Sequence, residues 1–211
     1  SFAEETKKTG VTGICGSGII EAIAELYLCG IISQDGLFDE SMMGRSNRII
    51  KEGRTCSYLL HKGEPELRLT QNDIRAIQLA KAALYAGIRL LMDQLGIEEV
   101  QLIRLAGAFG SHIDVKYAML LGLIPDCDLE HVSSAGNAAG TGARMALLNH
   151  GSRREVEETV RKIQKVETAV DPAFQQHFVD AMAIPHKHAP STHLQKTVSL
   201  PEAKNNAQGK R

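Results

Sequence analysis

Apolar positions recur at three- and four-residue spacing in two stretches of this chain. The first covers residues 17–30, where Ile19, Ile20, Ile23, Ala24, Leu26 and Tyr27 repeat on one side. This spacing predicts a helix, with Ser17 as its cap and Gly30 closing it. The second covers residues 71–95, where Ile74, Ile77, Leu84, Ile88, Leu91 and Leu95 form one predicted buried stripe ended by Gly96. Thr70 with Asp73 three residues on forms a capping-box pattern at its start. Between the two helices, residues 31–69 are less regular. Cys56–His61 and Leu67–Leu69 read as two strands around the turn Lys62-Gly63-Glu64-Pro65.

The pattern then alternates. Val100 to Ala106 is an apolar run that reads as a buried strand. A short helix is predicted from Asp114, its N-cap, to Leu121, with Gly122 and Pro125 breaking it. A strand is expected at 131–134. A helix runs from the Gly136–Gly142 stretch, where Asn137 caps it and the small residues suit close packing on a sheet, through Leu148. A charged helix is expected at 152–165, supported by Glu157–Arg161 and Glu158–Lys162 pairs. A strand at 167–170 and a helix at 172–182 complete the series. From about His186 the periodicity stops and polar residues dominate, which predicts a mobile tail over 186–211. Alternating strands and helices define an α/β domain over 1–185.

Composition narrows the function classes. The 211 residues include 24 basic and 25 acidic side chains, so no charge imbalance invites nucleic acid or a membrane surface. Aromatics are 4% and Trp is absent, which argues against a base-stacking platform. No apolar run reaches the roughly 20 residues of a membrane span, and the start lacks a signal-peptide pattern; a cytoplasmic location is expected. Cys15, Cys29, Cys56 and Cys127 form no C-x-x-C pair and fit neither a zinc site nor an iron–sulfur loop, so they read as free thiols. No metal site is expected. His186 and His188 lie too loosely in the tail to hold an ion.

Two glycine-rich turns carry the candidate chemistry: Gly13-Ile14-Cys15-Gly16-Ser17-Gly18 and Gly107-Ala108-Phe109-Gly110-Ser111. Glycine lets backbone N–H groups approach an anion, and a helix start adds unpaired N–H groups and partial positive charge. Two such turns suggest a nucleotide held at both ends. The alternative for both is tight strand–helix packing with no ligand. Lys81 interrupts the apolar stripe of the long helix. Either it reaches a nucleotide or carboxylate at the cleft, or its stem snorkels to solvent. His112 with Asp114 has acid/base spacing, although capping accounts for Asp114 more simply. No catalytic residue is assigned.

The runs Thr12 to Glu21, Ile77 to Lys81, Leu105 to Asp114 and Gly136 to Ala143 occur in that order. In this they resemble the C-terminal part of the reductive activators of corrinoid (vitamin B12) proteins. Those activators belong to the acetate/sugar kinase, heat-shock chaperone and actin superfamily. The resemblance spans roughly residues 9–186, and four motifs in sequence are far more specific than one glycine turn. It implies a ribonuclease-H-like lobe, a mixed sheet flanked by helices, acting as the second of two lobes that clamp ATP with Mg²⁺. Gly13, Cys15, Gly16, Ser17 and Gly18 map onto a phosphate motif. Ala106, Gly107, Ala108, Phe109, Gly110 and Ser111 map onto an adenosine motif, with Lys81 on a neighbouring helix.

The family also carries a 2Fe-2S ferredoxin domain and a first lobe with an acidic phosphate motif. Neither is visible here, so the chain reads as a fragment with those parts expected upstream, and as inactive alone. The implied partner is a corrinoid protein or corrinoid methyltransferase, whose cob(II)alamin the family reduces to Co(I). A lone lobe exposes its cleft face, so a homodimer is expected. Two other readings stay open: a lobe of an acetate- or sugar-kinase-type phosphotransferase, and a non-catalytic docking module.

Overall fold

The computed structural model describes residues 2–107 and 109–201; the expected tail at 202–211 lies outside the described residues. A short helix α1 (Phe2–Glu5) precedes α2 (Gly16–Leu28). The first cap differs from expectation: Cys15, not Ser17, accepts the Gly18 amide with its sulfur, at 3.4 Å. Helix α2 buries Ile20, Ile23, Ala24, Leu26 and Tyr27, as its periodicity predicts.

The irregular segment holds more strand than its sequence announces. Strands β1 (Ile49–Glu52), β2 (Thr55–His61) and β3 (Leu67–Thr70) form an antiparallel sheet in that order. The Ile-Ile-Lys-Glu run of β1 is too short to alternate, so the sequence pattern does not announce it. Helix α3 (Gln71–Gln94) begins on a complete capping box between Thr70 and Asp73. The second sheet is a parallel pair, β4 (Ile103–Ala106) and β5 (Val132–Gly136), with α4 (Val115–Leu121) between them in sequence. The expected α/β fold of helix-flanked strands is present, and among the described residues its strands form two sheets, one antiparallel and one parallel. Asp114 caps α4 and Asn137 caps α5 (Ala138–Leu148), both as expected.

Three expectations fail downstream. Helix α5 buries no side chain, so its small residues do not seat it on a sheet. Helix α6 (His150–Val160) stops before the basic ends of the predicted ion pairs; Arg153 instead donates to the Ala146 and Leu147 carbonyls at 2.6 and 3.1 Å, closing the end of α5. Residues 168–170 form a 3-10 turn rather than a strand, and α7 (Pro172–Asp180) follows, packed along α3.

The largest departure concerns the expected tail. Residues 181–201 strap back across the body, burying Ile184 and Leu194 to 1% exposure in one core with α2 and α4. Helix α3 explains how. Its predicted stripe is only partly inward: Leu84, Leu91 and Leu95 are 48%, 46% and 71% exposed. The face carrying Ile74, Gln78, Lys81, Ala82, Ala86 and Leu90 is buried instead. Gln78 donates to the Asp35 and Met182 carbonyls at 3.1 and 2.8 Å. Lys81 donates to the Ala183 and Pro185 carbonyls, the latter at 2.8 Å. The strap's backbone carbonyls accept from the Lys81 ammonium and, with Asp35, from the Gln78 amide nitrogen, which lets these two polar side chains be buried among apolar neighbours.

Burial lowers the Lys81 ammonium from 10.5 to about 7. Burial first, and the Lys81 charge second, lower His186 from 6.5 to about 4. In each interval the unfolded chain binds more protons than the folded one, so stability rises with pH. We expect gains from about pH 4 to 6.5 through His186, and from about pH 7 to 10.5 through Lys81. Urea midpoints measured across pH check this. Lys81→Met should remove the upper rise and shrink the lower one without abolishing it, because the burial of His186 remains while the Lys81 charge is gone.

Candidate nucleotide site

The first turn is exposed and runs directly into α2. The leading N–H groups of a helix have no intrahelical partner. Here the Gly18 amide is taken by Cys15, which leaves the Gly16 and Ser17 amides at the open end of the helix dipole. The Ser17 hydroxyl lies 3.3 Å from the Cys15 sulfur. That contact, then the Gly18 amide, lowers the exposed thiol below its ordinary value of 9.0. Gly18 itself is tightly placed: a Cβ there would sit 3.1 Å from Ile14 Cγ1 and 3.4 Å from the Cys15 sulfur.

The second turn leaves the carboxyl end of β4, the end of a parallel pair at which open α/β sheets bind ligands. Ala106 is the last residue of β4, and Phe109–Ser111 form a 3-10 turn leading to α4; Ala108 lies outside the described residues. Gly107 has φ +104°, a conformation that disfavours any side chain. Gly110 lies against the strand it follows, where a Cβ would be 3.0 Å from Leu105 Cβ and 3.2 Å from its carbonyl carbon.

The structure relates the turns through the helices they start. α2, from the first turn, packs against α4, from the second, and the Tyr117 hydroxyl bonds the Glu25 carboxylate across that contact. Lys81 is not brought to either turn by any bond it makes; its ammonium is committed to the strap carbonyls. It neither snorkels nor projects outward, being 1% exposed. Sequence reasoning missed Ser134 and Gly136, which the parallel pairing sets beside the second turn. The Gly107 amide donates to the Gly136 carbonyl at 2.8 Å. The available signal was a Ser-Ser-Ala-Gly strand end, but only the β4–β5 register shows which turn it faces.

Among the described residues no group of three His, Cys, Asp or Glu could hold a metal ion. Cys56 and Cys127 are buried, with thiols pushed up mainly by that burial, while Cys15 and Cys29 are exposed. This scatter does not fit an iron–sulfur cluster. No helix among the described residues is long and apolar enough to cross a membrane.

Helices around sheet strands that end in glycine turns place the domain in the ASKHA class, the actin and sugar-kinase type. A family model described as the C-terminal domain of RACo, the ASKHA domain, matches residues 2–195, and the chain belongs to that family. The corrinoid activation enzyme RamQ of Eubacterium limosum is 38% identical over 179 residues, which is 79% of this chain and 30% of RamQ. A solved structure of a reductive activator for corrinoid, iron-sulfur protein superposes with a TM-score of 0.75 at 34% identity, covering 83% of this chain and 29% of that one. The chain therefore spans about 30% of the length of the relatives it matches.

Proposed function

We propose that this domain binds ATP as one wall of the nucleotide site of a corrinoid reductive activator. The observation that carries the reading is the placement of both glycine turns. One opens a helix with free leading amides, and the other leaves the carboxyl end of a parallel strand with no room for a side chain at Gly110. Gly13, Cys15, Gly16, Ser17 and Gly18 then face the phosphates, whose negative charge suits the dipole of α2. The second turn, Ala106 to Ser111, is assigned to the adenosine. Lys81 leaves this set and becomes a structural residue of α3 that holds the strap. Mg²⁺ in such a site rides on the phosphates, since among the described residues no group of three His, Cys, Asp or Glu could hold it.

RamQ is a corrinoid activation enzyme and the solved relative is an activator for a corrinoid, iron-sulfur protein. A corrinoid protein is accordingly the partner proposed here. Nucleotide binding by this domain would couple to reduction of the partner's cob(II)alamin. The electrons are expected to arrive through a 2Fe-2S centre held outside this domain, in the cytoplasm. This chain's residues take no part in that transfer; their work is to bind and orient the nucleotide.

Calorimetry on the full-length protein with ATP and Mg²⁺ should give saturable heat. Absence of heat at millimolar nucleotide rejects the reading. The lowered thiol of Cys15 supplies a local probe, because the thiolate is the species that alkylates. Saturating ATP should slow iodoacetamide modification of Cys15 severalfold and leave Cys29 unaffected, as read by peptide mass spectrometry. Equal rates for Cys15 with and without ATP would place the phosphates elsewhere.

A further inference from the structure

A closed circuit of hydrogen bonds ties the second glycine turn to the end of β5. The Gly107 amide donates to the Gly136 carbonyl at 2.8 Å. The Gly136 amide donates to the Ser134 hydroxyl at 3.1 Å. Ser134 donates in turn to the Ser111 hydroxyl at 3.2 Å, and Ser111 donates to the Gly107 carbonyl at 3.0 Å. Every hydroxyl donates once and accepts once, so the circuit runs in one direction and returns to its starting residue.

The local backbone explains why a serine is placed there. The register pairs Leu105 with Ser134 and Ala106 with Gly136, which leaves Ala135 as an extra residue opposite no partner. Such a bulge interrupts the ladder and strands an amide. The Ser134 side chain recovers the Gly136 amide, and in doing so its own proton is aimed at Ser111. Both serines are exposed. Buried hydroxyls would be read as simple core satisfaction. These two instead stand on the open side of the strand ends, where nothing in the core requires them.

We propose that Ser134 is a positioning residue of the nucleotide site: acting through Ser111, it sets the Gly107 turn in the geometry that receives the nucleoside end of the nucleotide. The proposal rests on the adenosine reading of that turn. Removing the hydroxyl opens the circuit at two bonds and leaves the Ser111 hydroxyl, the donor to the Gly107 carbonyl, with nothing to orient it, while the first turn, built on α2, keeps its amides in place. The loss should therefore be confined to the nucleoside end.

The test uses the full-length protein and two probes, ATP and inorganic tripolyphosphate, with tripolyphosphate measured by competition. Ser134→Ala should weaken ATP about 3- to 10-fold, the range expected for one or two neutral hydrogen bonds. Tripolyphosphate affinity and the melting temperature should stay unchanged, and Ser134→Thr, which keeps the hydroxyl, should restore ATP affinity. Unchanged ATP affinity in Ser134→Ala overturns the proposal, as does an equal loss for both probes or a threonine variant as weak as alanine. A wild-type protein that binds no ATP rejects the nucleotide reading itself, whereas wild-type binding with an indifferent Ser134→Ala rejects this proposal alone.

Discussion

Gly122→Ala should destabilise the domain by about 3–5 kcal/mol, a large part of the roughly 5–15 kcal/mol that holds a domain together. Gly122 ends α4 with φ +73°, and a Cβ built there would lie 2.2 Å from the Pro185 carbonyl oxygen and 3.3 Å from the Lys81 ammonium. Part of the cost is the left-handed backbone, about 1–2 kcal/mol for a residue with a side chain. The larger part comes from displacing the strap, because Pro185 cannot retreat without loosening the Lys81 bond and the buried Ile184. Gly53→Ala isolates the first part. Gly53 has φ +62° but no atom within 4 Å of an added Cβ. Urea midpoints for the two variants should therefore differ widely. Similar losses would mean that Pro185 does not press on Gly122.

Asp126→Ala should cost about 2–4 kcal/mol and release the far end of the strap. The Asp126 carboxylate accepts from the His193 amide at 2.8 Å, the Leu194 amide at 2.9 Å and the Thr192 hydroxyl at 3.2 Å. Hydrogen bonds to a charged acceptor are worth more than neutral ones, and these hold the turn that delivers Leu194 to the core. Asp126→Asn keeps one accepting oxygen and should lose about half as much. Hydrogen exchange at the His193 and Leu194 amides reads the release directly. Protection that survives in Asp126→Ala would show that Leu194 alone anchors the segment.

Much of the local structure was legible along the chain. The box at Thr70 and Asp73, the caps at Asp114 and Asn137, and the apolar face of α2 all rest on interactions within a few residues, and each formed as read. The two glycine turns were also legible as turns, because glycine before a periodic segment is a local signal. The cap of α2 was misplaced by two residues, since a cysteine sulfur is a weaker and less usual acceptor than a serine hydroxyl. The Ser134 circuit was not legible at all. It depends on a register between strands some thirty residues apart, with an extra residue in one of them.

By itself the sequence determined where helices begin, which turns need glycine, and, through four ordered motifs, the family. Only the tertiary structure decided which face of α3 is interior. Periodicity marks Leu84, Leu91 and Leu95 as apolar, but burial depends on what arrives to cover a face. The segment that arrives is the strap, which offers backbone carbonyls to Gln78 and Lys81. Gln78 and Lys81 can be buried among Ile74, Ala82, Ala86 and Leu90 because their donors find carbonyl partners, whereas apolar side chains that nothing arrives to cover stay exposed. The same contact removed Lys81 from the candidate site and joined residues 181–201 to the core.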